Sequence, residues 1–258
     1  MSGWDSAAAV EYYESFCQSH SRYRTANRHL VKHAALAKGQ HVLDIGAGTG
    51  RTAEEVLPAI GRTGSLVAVE PARAMRREGA RRLASSQIEW RSTMPSRQRR
   101  FDRILCGAAI WQFPSLRQTL HDWAGRLKAG GALACNFPAL YLQEPDKPGG
   151  GSDPWLTALP GLLMEQDTPG CAATVPLRPA DVEASLRAAG LHPRRWRFRV
   201  KMTQTAFAAW LKIPLLTEGM MPGSAARERA LRIDAALQQV DLCSWKWERW
   251  IGWTAWKS

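Results

Sequence analysis

With 258 residues, 45% of them apolar, the chain is long enough for one α/β domain with an elaboration, and a core of that size needs no disulfide or metal staple. Its cysteines, Cys17, Cys106, Cys135, Cys171 and Cys243, are scattered, odd in number and never paired as C-x-x-C, which excludes a disulfide framework or a zinc knuckle and fits reduced thiols in the cytoplasm. The formal net charge of +12 comes mostly from arginine and admits a polyanionic partner, whereas no basic start precedes an apolar stretch and no run is long enough to span a bilayer, so a soluble, unexported protein without membrane association is expected.

Residues 5–37 read as helical, with Tyr12, Tyr13, Phe16, Tyr23, Leu30, Val31 and Ala34 supplying apolar positions and Lys38-Gly39 closing the segment. A strand at His41 to Ile45 runs into the turn Gly46-Ala47-Gly48-Thr49-Gly50. A helix from Thr52 to Ile60 ends at Gly61, and Arg62-Thr63-Gly64 turns the chain into a second strand that finishes at Glu70. In Ala72 to Ser85, Met75, Gly79 and Leu83 recur at i, i+4 and i+8 and form an inner stripe. Arg76, Arg77, Arg81 and Arg82 take the other faces, the pattern of a solvated helix surface. A short strand at Ile88 to Arg91, a fourth at Arg103 to Cys106, a helix from Leu116 to Leu127 and a strand from Ala132 to Phe137 follow. Strands separated by helices of this length specify a parallel sheet covered on both faces.

Pro138 to Pro176 is rich in proline and carries Gly149-Gly150-Gly151, which suggests a flexible loop over the strand ends. A helix from Pro179 to Ala189 stops at Gly190. Residues 195–202 then alternate, Trp196, Phe198, Val200 and Met202 against Arg195, Arg197, Arg199 and Lys201, a charged face suited to a sheet edge. The last strand, Ser244 to Lys257, carries Trp245, Trp247, Ile251 and Trp253 on one parity. Between these strands lies an insertion, Thr203 to Asp241, with two predicted helices. One domain is expected: a helical cover (1–37), a core (38–202 and 242–258) and a lid insertion (203–241).

A strand, a glycine turn that opens a helix, and a second strand ending in a carboxylate place backbone groups and an acidic side chain around one crevice, where a nucleoside-containing cofactor can lie. Gly46, Gly48 and Gly50 alternate, and the position of the third glycine in a dinucleotide fingerprint is held by Arg51, which argues against NAD or FAD. The segment Val42 to Gly50 resembles the first motif of class I S-adenosylmethionine (SAM)-dependent methyltransferases. The resemblance continues through Gly64 to Pro71, Phe101 to Gly107 and Leu127 to Leu133, and covers roughly residues 20 to 140. It points to the small-molecule branch similar to ubiquinone/menaquinone-biosynthesis enzymes (methyltransferase type 11).

The resemblance implies an α/β, Rossmann-like, doubly wound sheet of seven mostly parallel strands with the last one antiparallel, plus N-terminal helices and a helical lid. It implies SAM as cofactor and S-adenosylhomocysteine as product. Asp44 would meet the ammonium end, and Gly46, Ala47, Gly48 and Gly50 would surround the methionine part, with the following helix offering N–H groups to its carboxylate. Glu70 would accept from both ribose hydroxyls, with Pro71 and Met75 flanking ribose and adenine; Met75 reads equally well as core. Many members carry an acidic residue for the adenine amino group where this chain has Ser92-Thr93-Met94, leaving that contact to Thr93 and Met94. Cys106, Gly107 and Ala108 would pass beneath the sulfonium, with Ile110, Trp111 and Gln112 at the pocket mouth, and Tyr12, Tyr13, Phe16 and Tyr23 could form an N-terminal cover.

Tyr12, Tyr23, Trp111, Phe207 and Trp210 are the candidate substrate-pocket residues, although such aromatic stripes also build cores. His20 is the candidate base, since methyl transfer needs one only for some acceptors. No metal cluster is visible. The Asn/Asp-Pro-Pro-aromatic tetrad of amino-methylating nucleic-acid enzymes is replaced by Cys106-Gly107-Ala108-Ala109, and Asn136-Phe137-Pro138 lies one strand later without the second proline. The expected function is methyl transfer to O, N or C of a small apolar or aromatic metabolite, by a monomer or homodimer without a nucleic-acid partner. The alternatives are a cofactor-binding protein with a non-methylating, cyclase-like reaction, and a nucleic-acid methyltransferase working through the arginine surface.

Overall fold

Val42, Leu43, Ile45 and the run from Leu66 to Val69 are buried in succession, as strands must be when helices cover both faces of a parallel sheet. The computed structural model describes residues 3–141, 155, 177–217, 221, 223–240 and 244–258. Among them β1 (His41–Ile45), β2 (Ser65–Val69), β3 (Ile88–Arg91), β4 (Phe101–Gly107), β5 (Leu127–Pro138), β6 (Leu191–Thr203) and β7 (Trp245–Lys257) form one seven-stranded sheet in the order β3-β2-β1-β4-β5-β7-β6. β1 through β5 pair in parallel, and β7 runs antiparallel between β5 and β6, as expected. The proline-rich loop falls almost wholly outside the described residues, as do Cys171 and Cys243.

The N-terminal segment is helical, as two helices, α1 (Ala7–Ser19) and α2 (Arg22–Ala34), with His20 extended between them. On one straight helix Ala26 would point about 80° away from Phe16. The break lets Phe16 and Cys17 face the insertion while Leu30 and Ala34 face the sheet. α3 (Ala53–Ile60) packs with α2 on one side of the sheet, around Val56, Ile60, Leu66 and Leu105. α5 (Leu116–Ala124) and α6 (Pro179–Ala188) cover the other, where Trp123, Val182 and Leu186 meet Leu43, Ile104 and Leu133. α4 (Arg73–Arg82) buries Met75 and Gly79, as its stripe predicts. Three of its arginines make bonds within the protein: Arg81 pairs with Glu78 at 2.7 Å, Arg76 donates to the Glu70 carbonyl at 2.6 Å, and Arg82 pairs with Glu14 at 3.0 Å.

Among the described residues the insertion holds three helices rather than two, because Pro214 starts an extra short turn: α7 (Gln204–Leu211), α8 (Pro214–Thr217) and α9 (Ala226–Gln238). Phe207, Trp210, Leu211 and Ile233 join Phe16 and Cys17 of α1 in a third core away from the sheet faces. β6 is the sheet edge, with Trp196, Val200 and Met202 buried and its arginines exposed.

Candidate functional site

β2 and β3 extend the sheet one way from β1, and β4 and β5 extend it the other way. Connections that leave in opposite directions open a crevice beyond the carboxyl ends of the strands at that switch point. A cavity of about 520 Å³ lies there. Its floor is the chain that follows β1, β2, β3 and β4, and its cover includes Trp4, Tyr13 and Tyr23.

Gly46 and Gly48 have φ of +73° and +55°, which L side chains rarely adopt. A Cβ on Gly46 would come 2.8 Å from that of Ala109, while one on Gly48 would stand in open space, so the turn brings bare backbone to a ligand. The amides of this turn are donated inside the protein: Gly46 and Ala47 to the Val69 carbonyl, Gly50 to the Ala47 carbonyl, Gly48 to Glu70. The N–H groups expected for a cofactor carboxylate belong to the helix that follows, and these four amides are otherwise engaged.

Glu70 accepts the Gly48 N–H at 2.9 Å on Oε2 and the Ala72 N–H at 2.8 Å on Oε1, which aims its carboxylate into the cavity wall. Burial raises its pKa against the pull of those two donors. Asp44, at the end of β1, is wholly buried, and neither carboxylate oxygen has a hydrogen-bond partner among the described residues. Burial, and secondarily the Glu70 charge, push its pKa up to about 7. An orphaned buried carboxylate beside a backbone cradle and a second, pinned carboxylate fits a ligand with a cationic end and a vicinal diol.

Of the expected cofactor residues, Gly46, Ala47, Gly48, Glu70, Pro71, Met75, Thr93, Met94 and Gly107 line the cavity. Asp44 sits just behind the turn, Gly50 packs toward Leu83 and Trp90, and Cys106 is buried in the core with its pKa raised well above normal by that burial. Of the expected substrate residues, Tyr23 lines the cavity. Tyr12, Phe207 and Trp210 lie instead in or against the third core, and Trp111 donates to the Ala108 carbonyl at 3.1 Å on the α5 side. Trp210 still reaches the wall from behind, its indole N–H donating to the Tyr23 hydroxyl at 3.2 Å. His20 is also away from the cavity: its amide closes α1 on the Phe16 carbonyl and its ring lies 5.2 Å from that of Phe16.

The lining also holds Gln112, expected at the pocket mouth, and Tyr13 of the N-terminal cover, together with Trp4, Asn27 and Phe113, which were not expected there, and the Trp4 indole donates to Gln112 Oε1 at 3.2 Å. A signal for Tyr13 exists: Ala9, Tyr13, Phe16 and Cys17 stand at i, i+4, i+7 and i+8, a stripe that excludes Tyr12. Tyr13 and Tyr23 are both held above the usual phenol range, chiefly by burial. Glu14, one residue from Tyr13, accepts from the Thr49 hydroxyl at 2.5 Å and pairs with Arg51 and, at 3.0 Å, with Arg82. This carboxylate ties α1 to the glycine turn and to α4, and nothing in its sequence neighbourhood announces it. Asn136 is fully buried, its amide donating to the Ala26 carbonyl at 2.8 Å and its oxygen facing the Ala108 N–H at 3.3 Å. Both ends are spent on backbone.

Residues 42–131 match the family model of a methyltransferase domain. Among curated proteins, none matches the sequence. Among solved structures, the chain is similar to the YcgJ protein of Bacillus subtilis, with a TM-score of 0.60 and 17% identity over 91% of this chain and 98% of that one. It is similar to a cyclopropane-fatty-acyl-phospholipid synthase-like protein of Lactobacillus casei, at 0.58 and 12% over 90% of each chain. The [4+2]-cyclase SpnF gives 0.55 and 16% over 90% of this chain and 79% of its own. At these identities the likeness is one of fold, whereas the family match spans β1 to the start of β5 and so includes the crevice. Over residues 42–131 the chain therefore matches a methyltransferase domain, set in the fold that these solved structures share.

Proposed function

We propose that the protein binds SAM in this crevice and transfers its methyl group, by in-line displacement, to O, N or C of a small apolar or aromatic metabolite, releasing S-adenosylhomocysteine. The observation that carries this reading is Asp44, a buried carboxylate with no hydrogen-bond partner among the described residues, placed where an ammonium group would neutralise it. Glu70, already oriented by two amides, keeps lone pairs for two ribose hydroxyls. The cofactor, when bound, supplies an activated methyl group. What the chain supplies is alignment and dryness, and good alignment contributes on the order of 7–11 kcal/mol in favourable systems.

Trp4, Tyr13, Tyr23 and Phe113 give the cavity an aromatic wall, and the amides of Asn27 and Gln112 give an acceptor something to hydrogen-bond. Both tyrosines stay protonated at neutral pH, so they position rather than deprotonate. An acceptor that is already nucleophilic at working pH suits such a site. Asn136, locked on backbone, weighs against a nucleic-acid base as acceptor, and the bonds that Arg76 and Arg82 make within the protein weigh against a nucleic-acid groove on α4. Among the described residues no helix is long and apolar enough to cross a membrane, and the free, buried thiols of Cys17, Cys106 and Cys135 suit a reducing cytoplasm. Monomer or homodimer is the assembly this reading carries.

Titration calorimetry with SAM and with S-adenosylhomocysteine, followed by radiolabel transfer to a panel of amines, phenols and carbon acids, tests the proposal. Absence of heat with either nucleoside sinks it. Binding without transfer to any acceptor moves the chain to the cyclase-like reading, to which the fold shared with SpnF gives standing.

A further inference from the structure

The edge of the sheet farthest from β3 carries a surface that the cavity chemistry does not use. Among the described residues β5 pairs with β7 only as far as Pro138 opposite Trp250, and Trp245 to Arg249 continue as a ribbon with β6 alone. That ribbon overhangs the carboxyl ends of the parallel strands, the end of the sheet at which the cavity lies. Residues paired directly across antiparallel strands share a face. Lys201 opposite Trp247, Arg199 opposite Arg249 and Thr203 opposite Trp245 therefore form one face, which continues into Arg197. No carboxylate occupies a position of these strands on that face. Trp245 and Trp247 are 43% and 53% exposed, whereas Trp250 and Trp253 on the same strand are buried. Arg197, Arg199, Lys201 and Arg249 are exposed around them.

Exposed indoles among cations fit two kinds of polyanion, and the ring geometry separates them. A single-stranded nucleic acid stacks its bases on open aromatic faces. Here the two indoles meet edge to face, 5.8 Å apart at 83°, and the Lys201 ammonium sits 4.9 Å from the centroid of Trp245, occupying one of its faces. A lipid headgroup layer asks for the opposite arrangement: indoles that enter as amphipathic bodies, with long cationic stems lying along them and the charges meeting lipid phosphates. We propose that this ribbon is a docking surface for an anionic bilayer, holding the protein peripherally with the cavity end of the sheet toward the lipid. The inference stands on the ribbon alone and does not need the cofactor assignment. It revises the expectation of no membrane association, which rested on the lack of a spanning segment.

Co-flotation of the full chain with phosphatidylcholine vesicles, with and without phosphatidylglycerol, tests it beside anisotropy with a single-stranded oligoribonucleotide. The expected result is binding to the anionic vesicles only, weakened by salt. Arg199→Gln and Lys201→Gln should each lower the partition coefficient about fivefold. Trp245→Ser with Trp247→Ser should lower it further and remove whatever binding survives high salt. These side chains are exposed, and unchanged thermal melts would show that the variants stay folded. Failure to float with anionic vesicles overturns the proposal, whether or not RNA binds. So does flotation that the tryptophan pair and both charge substitutions leave unchanged, since another surface would then be responsible.

Discussion

The crevice and the aromatic cover are built on different principles. In the crevice, position is set by backbone: Gly46 and Gly48 with positive φ, Glu70 pinned by two amides, Asp44 at a strand end. In the cover, position is set by side-chain packing, with Phe16, Phe207, Trp210 and Ile233 filling one core and the Tyr13 and Tyr23 rings 5.5 Å apart at the edge of the cavity. The first kind of site admits few residue types, and the second admits any aromatic set of the right volume. Substitutions should therefore separate the two regions, one losing ligand affinity and the other losing stability.

The largest effect belongs to the cover. Arg22 and Glu248 are 2% and 6% exposed, and the guanidinium donates to Glu248 at 2.8 and 2.6 Å. The Trp250 indole adds a third donor to Glu248 at 2.6 Å, and Trp210 lies 4.6 Å from the guanidinium. Glu248→Ala removes the carboxylate that meets this buried guanidinium and should cost about 3–5 kcal/mol in urea unfolding. Replacing both partners, Arg22→Met with Glu248→Leu, should recover most of that loss. If the double variant is no better than the single one, the pair is a determinant of fold and not an exchangeable piece of packing.

The crevice behaves in the opposite way at Asp44. Its folded pKa, about 7, lies above the ordinary carboxylate value of 3.8, so the native state holds a proton that the unfolded chain releases. The ligand-free protein should accordingly lose stability as pH rises from about 4 to about 7 and change no further from this group above that, by a few kcal/mol at most. Asp44→Asn should flatten this slope in melts across that range, stabilise the free protein at pH 7.5 and weaken SAM binding. In the unsubstituted protein SAM should bind more tightly as pH rises through 7, with proton release visible in calorimetry in buffers of different ionisation enthalpy. Binding with no net proton release near pH 7 would mean that Asp44 does not meet the ammonium.

The same contrast explains what was legible in the sequence. The mostly parallel sheet with its antiparallel last strand and the residues around the glycine turn were legible from the motifs, because backbone geometry leaves its mark on residue type. Gly50 is the instructive exception: it belongs to the motif, but it faces Leu83 and Trp90. The cover was legible as aromatic and not as a lining. Tyr12 and Tyr13 are adjacent, and a helix turn of 100° sends one to the cavity and the other to the insertion. Trp4 and Asn27 reach the lining through long-range packing, which no local pattern encodes. Glu14 was illegible for the same reason, since its partners Thr49, Arg51 and Arg82 come from elsewhere in the chain.

Glu14 joins the two regions, so its substitution should register in both. Glu14→Gln keeps the shape but removes the charge facing Arg51 and Arg82, and should cost about 1.5–3 kcal/mol of stability, the range for a hydrogen-bonded charge. If α1 is held on the turn by this carboxylate, the same variant should weaken SAM binding, although Glu14 is not among the lining residues. Equal SAM affinity in the variant would show that the cover and the turn are energetically separate.

The smallest effect is expected at the Trp210 to Tyr23 hydrogen bond, and it decides whether the insertion is a pocket wall or a support for one. Trp210 lies in the third core, 4% exposed, and its 3.2 Å bond to Tyr23 is its reach toward the cavity. Trp210→Phe should cost about 1 kcal/mol for the lost bond, plus a packing loss, and Tyr23→Phe about as much. In a double-mutant cycle the two should couple by about 0.5–1.5 kcal/mol in unfolding experiments. SAM affinity should be unchanged in Trp210→Phe, because the indole touches the wall from behind. A drop in SAM affinity without coupling in stability would place Trp210 in the cavity itself, and the insertion would then belong to the site rather than to its scaffold.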